Sequence, residues 1–165
     1  TLGVTTLISD SGVTRYRVNT EEWMMYDRKK PSYWAFEKGV YMEQFDSIFN
    51  VEASIKADTA YYYDKERLWK LIGNVDIQNR KGERFNTELL YWNEATQKVY
   101  SDKFIRIQQP DRIITGHGFD SNQQMTIYTI RNIEGIFYVD EEASSGPPQP
   151  ETKALPDSVN KDAAK

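Results

Sequence analysis

The stretch VEASIKADTAYYY, Val51 to Tyr63, alternates apolar and polar residues with a period of two. Val51, Ala53, Ile55, Ala57, Thr59, Tyr61 and Tyr63 share one side of an extended chain, with Glu52, Ser54, Lys56 and Asp58 on the other. Successive side chains of a strand point to opposite faces, so this pattern buries one face and wets the other, whereas a helix would scatter it around its axis. The same parity returns in LWKLIGNVDIQ, which aligns Trp69, Leu71, Gly73, Val75 and Ile77.

Turn signals punctuate these runs throughout. NRKGER turns around Gly82, NEAT follows the strand RFNTELLYW, and the Pro-Asp turn QPDR follows KVYSDKFIRIQ. IITGHGF, QMTIYTI and GIFYV come after it, and at the front VTTLIS and VTRYRV flank Asp10-Ser11-Gly12. Only TEEWMMYDR, with Thr20 placed to cap it, has a helical alternative, and it reads equally well as extended. About ten short strands at regular spacing predict an all-β sandwich, jelly roll or barrel. YYDKERLWKLIGNVDIQ and YWNEATQKVYSDKFIRIQ also share an aromatic pair, a polar turn and a strand ending in Ile-Gln. That similarity suggests stacked two-strand units, with chance resemblance among strands as the alternative.

Composition divides the chain. From Glu141 onward, EEASSGPPQPETKALPDSVNKDAAK has four prolines and no aromatic residue. Such a segment buries too little apolar surface to offset the entropy of ordering. The expected folded domain is therefore 1–140, followed by a disordered tail over 141–165. The net charge of −4 argues against a general nucleic-acid surface. Zero cysteines exclude a thiol nucleophile, Cys-ligated zinc and disulfides. No run of about 18 apolar residues is present to span a bilayer. The start at Thr1, directly in strand-like sequence, suggests a processed fragment whose targeting segment or anchor is missing.

The single histidine lies in RIITGHGFDSN, between Gly116 and Gly118. A phosphate loop would need a glycine where Ser121 stands and a helix opening there, but strand-like sequence follows. One histidine with scattered carboxylates makes no recognisable metal site, and no Gly-x-Ser-x-Gly elbow occurs. The plain reading is a glycine-bracketed corner or bulge, with Phe119-Asp120-Ser121-Asn122 as a turn. Glu43, Asp46, Glu52, Asp58, Asp76 and Glu88 fall on the polar sides of strands, as a solvated face explains better than a catalytic pair. Tyr61-Tyr62-Tyr63 and Tyr91-Trp92 suit core packing, with sugar stacking as the alternative. No catalytic residue, metal ligand or cofactor is therefore expected.

Taken in order, LWKLIGNVDI, TELLYW, VYSDKFIRI and IITGHGFDSNQQM resemble the periplasmic domain of the LptC family of lipopolysaccharide export proteins. The similarity runs from about Ala57 to Met125 and extends loosely back to LISDSG. The resemblance implies a twisted β jelly roll of two antiparallel sheets, open at both ends and without catalytic activity. It also implies a periplasmic location, with an inner-membrane anchor helix that lies outside this sequence. Such a domain takes lipopolysaccharide from the inner-membrane ABC transporter and passes it to an LptA-like periplasmic bridge protein by edge-strand docking. Under this reading, parity selects Ala53, Ile55, Ala57, Trp69, Leu71, Val75, Ile77, Ile105 and Ile107 to line an acyl trough. Gly12, Gly116, Met125, Ile127, Tyr128 and Phe137 are the candidate partner interface, and VTTLIS would face the transporter. The bridge protein itself is one alternative. A carbohydrate-binding or glycoside-active jelly roll is the other.

Overall fold

The structure, a computed structural model, describes residues 2–10 and 13–139. Gly12 and the segment from Asp140 onward, including the expected tail, lie outside the described residues. The strands are β1 (Leu2–Asp10), β2 (Val13–Glu22), β3 (Met24–Tyr26), β4 (Tyr33–Phe36), β5 (Val40–Phe45) and β6 (Val51–Ala57). They continue with β7 (Thr59–Tyr63), β8 (Leu68–Asn79), β9 (Arg84–Asn93), β10 (Lys98–Gln108), β11 (Arg112–Asn122) and β12 (Tyr128–Tyr138). The helical alternative for TEEWMMYDR gives way to the end of β2 and the whole of β3. The strands MTIYTI and GIFYV merge into β12, and β11 runs straight through FDSN, so the expected turn there is displaced to 122–127.

All twelve strands join one antiparallel sheet. β3, β5 and β7 each continue the strand before them, so the chain makes a meander in which every pass pairs with its sequence neighbour. The interruptions between these half-strands are aligned. Asp58, between β6 and β7, lies opposite the register shift in β8 between Ile72 and Val75. That shift lies opposite Glu88, the next break falls between Ser101 and Phe104, and the last between Thr115 and Gly116. A crease thus crosses the sheet at right angles to its strands. An extra residue at a bulge raises local twist and bends the strand, so a line of bulges rolls the whole sheet.

The crease also corrects the parity read from Val51–Tyr63. Ala53, Ile55 and Ala57 are buried, but beyond Asp58 the buried residues are Ala60 and Tyr62, with Tyr61 and Tyr63 only half-buried. A one-residue slip exchanges the faces of a strand, and strict alternation cannot reveal it.

Contacts across the interior show how far the sheet rolls. β2 and β9 are four strands apart in sheet order, about 19 Å in a flat sheet. Yet the rings of Tyr16 and Trp92 lie 5.3 Å apart, centre to centre. The jelly roll holds, but its two layers are opposite parts of one sheet rather than separate sheets.

The Gly-His-Gly stretch is the β11 part of the crease. A Cβ at Gly116 would overlap the Asn132 carbonyl oxygen and stand 2.6 Å from Ile130 Cγ2, so β12 can cross there only over a bare backbone. Gly118 has φ +82 and a Cβ there would meet Arg131 Nε at 2.8 Å. Arg131 spans the crease from above, donating to the Ser101 carbonyl and pairing with Asp102 and Asp120. His117 points outward, pairs with Glu134 and is half-exposed. Gly116→Ala is expected to cost roughly 1–3 kcal/mol through overpacking, and His117→Ala about 0.5 kcal/mol or less as a surface change. Urea denaturation compares the two, and a wild-type midpoint for Gly116→Ala would contradict the close β11–β12 crossing.

Candidate functional site

The candidate site is the interior of the roll and its mouth. An aromatic chain runs around it: Trp23 to Trp34 at 5.1 Å, Trp34 to Tyr62 at 5.0 Å and Tyr62 to Trp69 at 4.7 Å. It continues from Trp69 to Trp92 at 6.4 Å and from Trp92 to Tyr16 at 5.3 Å. Trp23 and Tyr16 belong to the same pass, so the chain starts and ends on one pass and uses all four tryptophans of the sequence. Each aromatic pair contributes about 0.5–1.5 kcal/mol beyond the area it buries.

Glu94 anchors this girdle. Its carboxylate accepts from the Tyr16 hydroxyl, from Trp69 Nε1 at 2.8 Å and from the Tyr62 hydroxyl at 3.4 Å. Arg67 stands 3.8 Å away on the solvent side, and the Glu94 amide donates to the Arg67 carbonyl at 3.0 Å. The two hairpin turns of the sequence repeat therefore meet here, and both end in a left-handed residue, Arg67 (φ 52) and Gln97 (φ 57). Burial, and secondly the Glu94 charge, push the Tyr62 phenol up to about 12 and raise Tyr16 still further.

A second polar closure lies where the β8–β9 hairpin meets the 122–127 turn. Asn79 Nδ2 donates to Glu83 Oε1 at 2.9 Å and to the Met125 carbonyl at 2.8 Å. Glu83, itself buried, also accepts from the Tyr128 hydroxyl, and burial pushes that phenol up to about 12. Asn122 shapes the turn by accepting from the amides of Thr126 and Ile127. Sequence reasoning missed both carboxylates. The signal available for Glu94 was the acidic residue that follows each aromatic pair of the repeat, Asp64 and Glu94, and Glu83 had none.

The nine residues proposed for an acyl trough are all buried, and all but Ala53 belong to one contiguous cluster. In this conformation they pack against one another. The void between Tyr16, Met42, Ala53, Ile55 and Trp92 holds 10 Å³, room for about one water at most. Beside it opens a mouth of 550 Å³ walled by Ile8, Phe45, Tyr16 and Trp92, with Arg67 and Gln123 at the rim. Trp92 Nε1 is buried and finds no acceptor among the described residues. An unpaired buried donor of this kind costs about 1–3 kcal/mol.

Across the rest of the molecule, the carboxylates on polar strand faces have partners of their own: Glu43 pairs with Arg17, Glu52 with Arg80 and Asp76 with Arg84. Asp58 and Glu88 both bind Asn74. Among the described residues, no group of three or more His, Asp or Glu side chains could hold a metal ion, and no helix is long and apolar enough to cross a membrane.

The family model for lipopolysaccharide-assembly, LptC-related proteins matches residues 4–138. The chain belongs to the LptC family. Its role accordingly lies in lipopolysaccharide transport, the process in which this family is a component. No curated protein sequence matches it.

In this LptC-family chain β1 and β12 end the sheet, and each has an unpaired edge among the described residues. Of the candidate interface residues, Ile127 and Phe137 are exposed on or beside β12, Tyr128 is half-buried, and Gly116 lies beneath the β12 crossing. Met125 departs from expectation. Its side chain is 1% exposed and inserted into the core with φ +58, so it plugs the roll instead of presenting a docking surface.

The raised phenols set a pH dependence. Unfolded tyrosines lose their protons near pH 10, whereas Tyr62 and Tyr128 keep theirs to about 12. The unfolded state therefore binds fewer protons in this window, and stability falls as pH rises through it. Urea midpoints should hold steady up to pH 10 and drop between 10 and 12, with a shallower drop in Tyr62→Phe and Tyr128→Phe. A flat profile in the parent protein would contradict these phenol environments.

Proposed function

We propose that the rolled interior receives the acyl chains of lipopolysaccharide, while the sugar and phosphate head group stays in solvent at the mouth. The observation that carries this reading is the continuous apolar inner surface, closed at the mouth by side-chain contacts and not by strand pairing. Strand pairing would resist entry along its whole length, whereas side-chain contacts can part locally. Burying a chain of about twelve methylenes contributes about 10 kcal/mol at 0.8 kcal/mol each. The three hydrogen bonds to Glu94, at about 1.5–3 kcal/mol each, contribute less in total. The difference is available to part the aromatic girdle.

The free edges supply the route. β12 carries exposed Ile133, Ile136 and Phe137 and suits addition of a strand from an LptA-like bridge protein of similar fold. β1, with exposed Leu2 and Leu7, faces the inner-membrane ABC transporter in this scheme. The chain acts in the periplasm beside the inner membrane, with its folded domain ending near residue 140.

Photo-crosslinking tests the trough. A photoreactive residue at Ile55 or Val75 should capture lipopolysaccharide, and one at Lys56 or Asp76 should not. Equal capture from outward positions would rule the trough out. For the edge, Phe137→Asp should lower recovery of the bridge protein in a pull-down, and undiminished recovery would argue against docking on β12.

A further inference from the structure

We propose that Trp92 is a specificity residue that donates its indole N–H to the carbonyl oxygen at the root of an incoming acyl chain. The inference rests on the lipid-binding reading above and adds to it an atom that distinguishes acyl from alkyl ligands. Native proteins pair nearly all of their buried donors, so one left open beside a cavity needs an occupant. Trp92 is 4% exposed, its Nε1 has no acceptor among the described residues, and it lines both the interior void and the mouth.

Glu94 does not fill this role. Its Oε1 already receives Trp69 and Tyr16, and its Oε2 receives Tyr62. The neighbouring indole of Trp69 is satisfied by that carboxylate, so the two stacked tryptophans differ in the one respect that matters for a ligand.

Position and charge select the acceptor. The mouth joins apolar walls, Ile8 and Phe45, to a polar rim, so a chain threaded inward leaves its first carbons beside Trp92. The group found there in an ester- or amide-linked acyl chain is a carbonyl, a neutral acceptor with no proton to place. A phosphate gains no net attraction at the spot, because Asp46, Glu52 and Glu94 offset Arg15, Arg67 and the Arg80 that pairs with Glu52. A neutral oxygen needs no such attraction and retains the hydrogen bond.

Two lipids of equal chain length isolate the carbonyl: 1-monododecanoylglycerol, an ester, and 1-O-dodecylglycerol, an ether. Affinities of the full chain for each are measured by titration calorimetry below the micellar concentration. The parent protein should bind the ester about tenfold more tightly, the ratio expected for one hydrogen bond. Trp92→Phe keeps an aromatic ring but removes the donor, and should bring the two affinities together while leaving that for the ether within about threefold. The Trp92 indole N–H resonance should also move downfield with the ester and not with the ether, a readout that needs no variant. Equal affinities in the parent protein, or an ester preference that survives in Trp92→Phe, would overturn the proposal, as would be seen if a buried water holds the N–H. Failure of both lipids to bind the parent protein would instead sink the lipid-binding reading, and this inference with it.

Discussion

The contact between Tyr16 and the Trp92–Glu94 corner holds the rest of the molecule in shape. The hydrogen bonds of the sheet itself join only neighbouring passes, which fixes order but not curvature. A meander of nine passes can lie open, twist into a propeller or roll up. Joining β2 to the end of β9 selects the roll, because it brings together strands that a flat sheet would hold about 19 Å apart. Glu94 makes the junction selective as well as apolar. A buried carboxylate without donors would be too costly to keep, so Tyr16, Tyr62 and Trp69 must arrive together or not at all.

The crease makes that junction reachable. Irregularities at Asp58, Gly73-Asn74 and Asp102-Lys103, continued by the left-handed Gly118 opposite the last, form a line across neighbouring passes, so their bends add instead of cancelling. The bare backbone of Gly116 lets β12 cross close over β11, and Arg131 then bridges β12 to β10 and β11. His117, the most conspicuous residue of that stretch by composition, contributes a surface ion pair. The backbone around it carries the structural role.

On the reading proposed above, this chain holds an amphiphile and then releases it. A rolled sheet with a closed, well-packed interior meets both needs if its closing contacts are few and local. The interior gives apolar surface without a permanent cavity, so an emptied roll collapses on itself and stays out of reach of water. On that proposed reading, opening falls to the girdle and the Met125 side chain, and the hydrogen-bonded sheet stays intact while a chain passes.

Period-two alternation and turn chemistry were enough to determine the all-β class, the sequence of hairpins and most of the inward residues. Trp69, Leu71, Val75, Ile77, Ile105 and Ile107 follow from parity alone, because the register shifts in β8 and β10 leave the same parity inward on both sides. Parity failed beyond Asp58, where one extra residue exchanged the faces and turned Tyr62 inward in place of Tyr61 and Tyr63. It also gave no hint that Met125 would be buried, since a left-handed turn residue is placed by what the turn packs against. The order of motifs carried the family. Only the tertiary structure decided that Glu94 would gather three aromatic residues from separate passes and that Trp92 would be left with an open donor. Those contacts join residues that are distant in sequence, and Tyr16 is distant in sheet order as well, so local pattern holds no record of a meeting that depends on how far the whole sheet rolls.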